Sequence, residues 1–428
     1  MTPEPVHRPV PADDPASPSP AASTSAGRST SADRSTVEGT TFAITGAHVV
    51  PIEGEPFDGT VLVREGRITG LGPDLEIPAD RPVIDADGAW LLPGFIDAHV
   101  HLGVDEEGED WAGDDTNEMT DPVMAAARAI DAINPADVGF DDAIIGGVTA
   151  VNVNPGSGNP IGGLAVALRT HGRVVDEMVL RHPSGLKSAL GENPKRVYGE
   201  RKQTPSTRLG VALTIRQAFA KARAWAAKPE GERDADLFSE ALTRVLEREI
   251  PWRQHAHRAD DIATALRLAE EFGYRLVLDH GTESYLIADR IAEAGVPVLY
   301  GPLIVSRSKV EVRHRTPRAP GLLTAAGVEV SIITDHPVVP IEFLVTQAAL
   351  AVKHGMEPAD ALRAITLHPA RVLGLEDRLG SLTEGKDADL VLWEGDPLDV
   401  RHRSLRVWQC GREVMHRAAD GEPVIAPR

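Results

Sequence analysis

The chain is nearly free of cysteine, short of positive charge and without any long apolar run. Its single cysteine, Cys410, among 428 residues excludes an internal disulfide framework and any cysteine-rich zinc site. That usage suggests a reducing, cytoplasmic setting. Acidic residues outnumber basic ones, 64 to 44, for a formal net charge of -20. A field of that sign repels nucleic acid and anionic membranes. No apolar run approaches the roughly 20 residues that span a bilayer. No GxGxxG fingerprint marks a dinucleotide site, and no GxSxG elbow marks a serine nucleophile. The expected partner is therefore a small-molecule substrate, not nucleic acid and not a membrane. Self-association as a homo-oligomer is left open.

Hydrophobic residues make up 42% of the chain, enough for a sizeable core, and the length suits one large barrel with a satellite domain. Residues 1–38, dominated by Pro, Ser, Ala, Thr and Asp, have no apolar periodicity and no signal-like apolar stretch. Such a segment cannot bury enough surface to offset its ordering entropy, and a disordered tail is expected. Short alternating strands with glycine-bearing turns follow in "TFAITGAHVVPI" and "GTVLVREGRITGLG", and the same texture returns in "ADLVLWEG", "RVWQCGREV" and "GEPVIAP". Residues 39–90 and 373–428 are thus read as the two parts of a small β-sandwich.

Between them, over residues 91–372, apolar runs alternate with helical stretches. Runs such as "YRLVLDHG", "VPVLYGP" and "VEVSIITDHP" are apolar on both sides, as parallel strands covered by helices are. "ADDIATALRLAEEFG" and "SYLIADRIAEAG" carry 3.6-period apolar faces that end at Gly. Repeated units of this kind predict a (β/α)8 barrel, with a helical insertion over 204–248 after the fourth strand.

A barrel keeps its chemistry at the C-terminal ends of its strands. There the sequence places His99 and His101 in "LLPGFIDAHVHLG", His255 and His257 in "WRQHAHR", His280 after "RLVLD", and Asp335 in "IITDHP". One HxH pair says little, since 15 histidines in 428 residues give about half such a pair by chance. Residues two apart on a strand share a face, so each pair can aim both rings into the mouth. Imidazoles and a carboxylate at the ends of four apolar strands form the nitrogen and oxygen set that zinc or a similar divalent ion takes.

These residues, with "PGFIDAHVHL" and the later "GSLTEGKDADLVLWEGDP", resemble the amidohydrolase superfamily of metal-dependent hydrolases, in particular its imidazolonepropionase-like branch. The likeness covers residues 40 to 428. It implies that His99 and His101 bind the more buried ion, and that Asp335 binds it while touching the attacking water. His255 and His280 would hold a second ion or, in one-metal members, bind the single ion or the substrate, with His280 near the chemistry. His257 would lie farther out, against the substrate. The implied cofactor is one or two divalent ions, zinc first, with manganese or iron as alternatives. A two-metal site needs a bridging acid. "GLKSALGENPKR" offers Lys187, if carboxylated, and Glu192, towards which the reading leans because it needs no modification.

The implied activity is hydrolysis of a carbon–nitrogen bond, an amide or cyclic amide, with Asp335 moving the proton. A deaminase or a metallodipeptidase would use the same ligands. A catalytically silent scaffold is the rival of another class, and the intact set of His99, His101, His255, His280 and Asp335 weighs against it. One feature stands outside the resemblance. Two loops of this acidic chain are basic, "NPKRVYGERKQTPSTR" and "SRSKVEVRHRTPR". Arg201, Lys202, Arg208, Arg307 and Arg318 are candidates to meet a substrate carboxylate, Arg201, Arg307 and Arg318 foremost.

Overall fold

A computed structural model describes residues 39–428; the tail expected over residues 1–38 lies outside the described residues. Nine strands from the two ends of the chain form one sheet. From the N-terminal side come β1 (Phe42–Val49), β2 (Phe57–Arg64), β3 (Arg67–Gly72), β4 (Val83–Asp85) and β5 (Trp90–Pro93). The middle of the chain contributes β6 (Phe95–Val100), β7 (Val148–Val153), β8 (Ile161–Arg169), β9 (Val179–Ala189), β10 (Trp252–Ala256), β11 (Leu276–His280), β12 (Val298–Tyr300) and β13 (Val330–Ile332). The C-terminal side adds β14 (Leu390–Trp393), β15 (Ser404–Gln409), β16 (Arg412–Arg417) and β17 (Pro423–Ile425).

The end-derived sheet runs β17-β16-β15-β14-β5-β1-β2-β3, with β4 beside β1. The two halves join where β14 pairs antiparallel with β5. In a flat sheet β1 and β15 would stand about 14 Å apart, three spacings of about 4.8 Å. Yet the rings of Phe42 on β1 and Trp408 on β15 have centroids 5.8 Å apart. The turns Gly66 and Gly411 also both bond Ala388. The sheet therefore curls over its own core of Phe42, Ile44, Val61, Val63 and Trp408, as the layers of a sandwich would.

The second sheet holds eight strands in the order β13 back to β6 and is nearly closed into a barrel. The amide of Asp335 donates to the His99 carbonyl (3.2 Å) and the amide of His101 to the His336 carbonyl (2.8 Å), stitching the seam at the mouth. Strands β9 to β13 run parallel and are nearly all buried, which is why their sequences read apolar on both faces. β8 departs from the expected βα repeat, running antiparallel to both β7 and β9. The link from β7 to β8, "NPGSGNP", is shorter than the dozen or more residues a parallel crossover needs, so the chain turns back as a hairpin.

Helix Ala259–Phe272 buries Ile262, Ala265, Leu268 and Phe272 and stops at Gly273, whose φ of 78° is left-handed. The second periodic stretch divides into a 3-10 turn, Ser284–Ile287, and a helix, Ala288–Glu293. In the insertion, helices Glu192–Glu200, Arg208–Ala226 and Leu237–Leu246 follow β9. Thr207 and Asp236 cap the latter two through their side-chain oxygens. Phe219 anchors the insertion to the barrel, its ring 4.8 Å from Trp252 and 4.9 Å from Phe272. No helix among the described residues is long and apolar enough to cross a membrane.

Candidate metal centre

The mouth gathers two trios of potential ligands, His99 with His101 and Asp335, and His255 with His257 and His280. Strand ends deliver them. His101 and His257 lie one residue beyond β6 and β10, His280 is the last residue of β11, and Asp335 follows β13 by three. A buried carboxylate, Asp97, fastens β6 to the Asp335 loop. It accepts from the Thr334 hydroxyl (2.6 Å), the Thr334 amide (2.9 Å) and the His99 amide (3.1 Å). Burial pushes its carboxyl up to about 7 despite these bonds.

His280 and Asp335 both hold left-handed backbone, with φ of 73° and 56°. Such conformations cost of order 1–3 kcal/mol each in a non-glycine residue and gather at functional sites. Side chains alternate along a strand, so Asp279 and His280 should face opposite ways. The left-handed turn at His280 breaks that rule. Asp279 Oδ2 lies 3.1 Å from His99 Nδ1, while the His280 ring centroid sits 4.9 Å from that of His99.

The hydrogen-bond partners fix which ring nitrogen carries the proton. A carbonyl oxygen only accepts, so His101 Nδ1 donates to Asn154 O and His280 Nδ1 donates to Gly301 O, each at 2.9 Å. His99 Nδ1 faces the Asp279 carboxylate at 3.1 Å, off the line of a strict hydrogen bond. Each ring then presents an Nε2 lone pair, the form in which a metal-binding histidine is held by its outer partners. Asp335 Oδ1 stands 3.3 Å from His99 Nε2 and 3.4 Å from His101 Nε2. His257 differs, because Nδ1 meets the Thr282 hydroxyl (2.8 Å), which can donate as well as accept. His255 is buried with neither ring nitrogen bonded.

Charge states follow from burial. Burial, then the neighbouring His280, holds His255 well below the ordinary histidine range. Burial, then Lys309, does the same for His257, and burial takes His280 down to about 3. Burial would raise Asp335, but His280 and the bonds to His101 and His99 outweigh it and hold the carboxyl well below its usual range. Five neutral or lone-pair-bearing imidazoles beside an ionised carboxylate are a donor set that divalent zinc fits. The unbonded nitrogens of His255 sharpen the fit, since an unsatisfied buried polar group costs about 1–3 kcal/mol unless something binds it.

Of the two candidate bridges, Lys187 is the one the fold brings in. It is fully buried on β9, with Nζ 3.0 Å from His99 Nε2 and 3.6 Å from Asp279 Oδ2. Burial lowers its amine to about 8, against the pull of Asp279 and Asp335. Glu192, favoured on sequence, belongs to neither trio. It opens the helix after β9, and its amide donates to Glu311 Oε1 at 2.7 Å. Gly191, with φ 88°, permits that approach, since a Cβ there would strike Glu311 Oε1.

The basic loops are also sorted by the fold. Arg208 donates Nε to both oxygens of Asp261 and Nη2 to Glu311 Oε1 (2.7 Å), tying the insertion to its neighbours. Arg201 donates to the Met119 carbonyl and Arg307 Nε to the Arg313 carbonyl (2.9 Å), and both side chains are exposed. Arg318 is exposed at the start of helix Ala319–Ala325, and Lys202 is exposed in a turn. Three residues not singled out on sequence share the site. Asp279 stands behind His99. Buried Arg253 bonds Asp279 Oδ1 (2.9 Å) and the Ala98 carbonyl (2.8 Å). Lys309 lies at the rim. Arg253 had a signal, since it precedes His255 by two and shares its face; Asp279 had none, because the alternation hid it.

Comparison with known proteins agrees with this architecture. Residues 90–424 match the amidohydrolase family. A solved amidohydrolase from Thermotoga maritima superposes with a TM-score of 0.85 at 46% identity, over 88% of this chain and 100% of that one. Amidohydrolase tasK of Hapsidospora irregularis is 31% identical over 411 residues, 86% of this chain, and this chain spans only 42% of its length. An imidazolonepropionase of Cupriavidus pinatubonensis is 28% identical over 78% of this chain and 83% of its own.

Proposed function

Because the chain belongs to the amidohydrolase family and is a hydrolase acting on carbon–nitrogen bonds, we propose that it uses zinc to hydrolyse an amide or cyclic amide of a small, carboxylate-bearing substrate in a reducing compartment. The observation that carries this reading is the set of fixed tautomers. His101 and His280 are committed to carbonyl oxygens through Nδ1, and His99 faces Asp279 through its own. All three offer lone pairs beside ionised Asp335.

His99, His101 and Asp335 would hold one ion. His255 and His280 would hold a second if Lys187 is carboxylated, its position beside His99 making it the better bridge than Glu192. An ion held there would supply Lewis acidity, enough to lower the pKa of a water to about 7. The protein's part is proton movement and orientation. The Asp335 carboxylate, ionised at neutral pH, takes a proton from the attacking water and delivers it to the leaving nitrogen as the C–N bond breaks, giving an acid and an amine. His257 is free to carry its hydrogen on Nε2, because the Thr282 hydroxyl can donate to Nδ1. In that tautomer it can donate to the oxyanion that develops on the carbonyl oxygen.

Elemental analysis of the purified protein, with turnover of N-acyl amino acids, dipeptides and cyclic amides before chelation, after it and after reconstitution with Zn, Mn or Fe, tests the reading. We expect one or two divalent ions per chain and activity that leaves and returns with them. Full turnover by metal-free protein would overturn it.

A further inference from the structure

Lys309 sits in the loop between β12 and the short turn Val310–Val312, at the mouth of the barrel. It is half-buried, and its ammonium makes one hydrogen bond, to Asn193 Oδ1 at 3.3 Å. Asn193 is itself steadied by donating Nδ2 to Ser157 Oγ at 2.8 Å, so three loops meet at this cation. Among the described residues no carboxylate pairs with Lys309. The acids that act most on its charge, Glu311 and then Glu192, make no ion pair with it among the described residues. Glu311 Oε1 takes the Glu192 amide and Arg208, and Asp335 Oδ1 lies against His99 and His101.

Its charge nevertheless reaches the chemistry. Lys309 is the foremost charge opposing protonation of His257 and acts also on His255; burial lowers its own ammonium, against the pull of Glu311, then Glu192, then Asp335. Arg201 and Arg307 are exposed and donate to backbone carbonyls, and Arg208 pairs with Asp261 and Glu311; Lys309 has no ion pair among the described residues and is half-buried. A half-buried cation with a single neutral hydrogen-bond partner is a place for an anion that arrives from solution, bound by a charge-assisted hydrogen bond.

We propose that Lys309 binds the substrate's carboxylate and so sets the scissile amide against His257 and Asp335. This assignment rests on the reading of the site as a hydrolase for a carboxylate-bearing amide, and it moves recognition from the exposed arginines to a lysine.

The test uses the metal-loaded enzyme, Lys309→Met, Lys309→Gln and, as the charge-keeping control, Lys309→Arg, with melting curves to confirm folding. Substrates are dipeptides and N-acetyl amino acids, each paired with its C-terminal carboxamide. The parent should prefer acids. Loss of charge should raise KM for the acid 10- to 100-fold with kcat little changed, leave the carboxamide unaffected, and so erase the preference; Arg should restore part of it. A parent that turns over acid and carboxamide alike overturns the proposal, as does a charge-free variant that keeps the parent's preference. If the parent hydrolyses none of these compounds, the functional reading fails first, and titration of N-acetylglycine decides the inference. Binding by the parent that Lys309→Met and Lys309→Gln both lose upholds it; no binding, or equal binding, overturns it.

Discussion

Two buried groups of charges occupy this molecule, and they are built on opposite rules. At the junction of barrel and sheet, Arg169 reaches Asp387 (2.6 Å) and Asp389 (3.1 Å), Arg378 adds a second cation to Asp387 (2.7 Å), and the Cys410 amide donates to Asp389 (2.7 Å). No buried polar atom of Arg169, Asp387 or Asp389 lacks a partner. At the barrel mouth, both ring nitrogens of His255 and Nε and Nη1 of Arg253 lack one. Both sites bury charge. One closes every valence and holds two parts of the chain together; the other leaves valences open and strains two residues to do so. Burial of charge alone does not mark function. Open valences aimed at one point do.

The largest expected effect strikes the open site. Asp335→Asn removes the only carboxylate of the first trio but keeps its shape, and Asn tolerates the left-handed backbone found there. Turnover should fall about 10²- to 10⁴-fold, the range of a lost general base or acid. The melting temperature of the metal-free protein should change little. Near-normal turnover at full metal content would take Asp335 out of proton transfer and would blur the contrast between the two sites.

The closed site should answer in the other currency. Arg169→Met leaves Asp389 and Asp387, each with a side chain 3% exposed, short of a cation. Breaking a buried pair by removing one partner costs about 3–5 kcal/mol. Urea unfolding should register that loss, while kcat/KM and metal content per folded molecule stay within about twofold, a surface-type tolerance for a residue remote from the chemistry. A fall in kcat without a fall in stability would break the comparison.

Much of this was legible in the sequence where a residue's type and its strand position agree. His99, His101, His255, His257, His280 and Asp335 follow apolar runs, and all six reach the mouth. The helical insertion after β9 is announced by its composition. What escaped has a physical cause in each case. β8 runs antiparallel because a short glycine- and proline-bearing link allows only a hairpin, and direction is not written in an apolar run. Asp279 was hidden because the left-handed φ of His280, invisible in sequence, suspends the alternation of side chains. The lean to Glu192 rested on its needing no modification, whereas the fold buries Lys187 inside the strand beside His99 and sets Glu192 three residues past the strand's end. Arg208 looked like an anion binder until two acids distant in sequence, Asp261 and Glu311, came to meet it.

The smallest expected effect separates a satisfied cation from an open one within a single loop. Sequence alone put Arg307 among the foremost candidates to meet a substrate carboxylate. In the fold its Nε donates to the Arg313 carbonyl at 2.9 Å and its side chain is exposed, two residues before Lys309. An exposed guanidinium is well hydrated, and what it gives a distant anion is screened over about 8 Å at physiological ionic strength. Replacing it with Met keeps most of the stem while removing the charge. For Arg307→Met we expect KM for a carboxylate substrate to shift by less than about twofold, since surface charges away from a specific contact change energies by only about 0.5 kcal/mol. Lowering the salt should enlarge this shift slightly, as a long-range field would, and should leave kcat alone. Initial rates at two ionic strengths measure both. A tenfold rise in KM that salt does not alter would mean that Arg307 touches the substrate, and that the loop leaves its backbone partner when substrate binds.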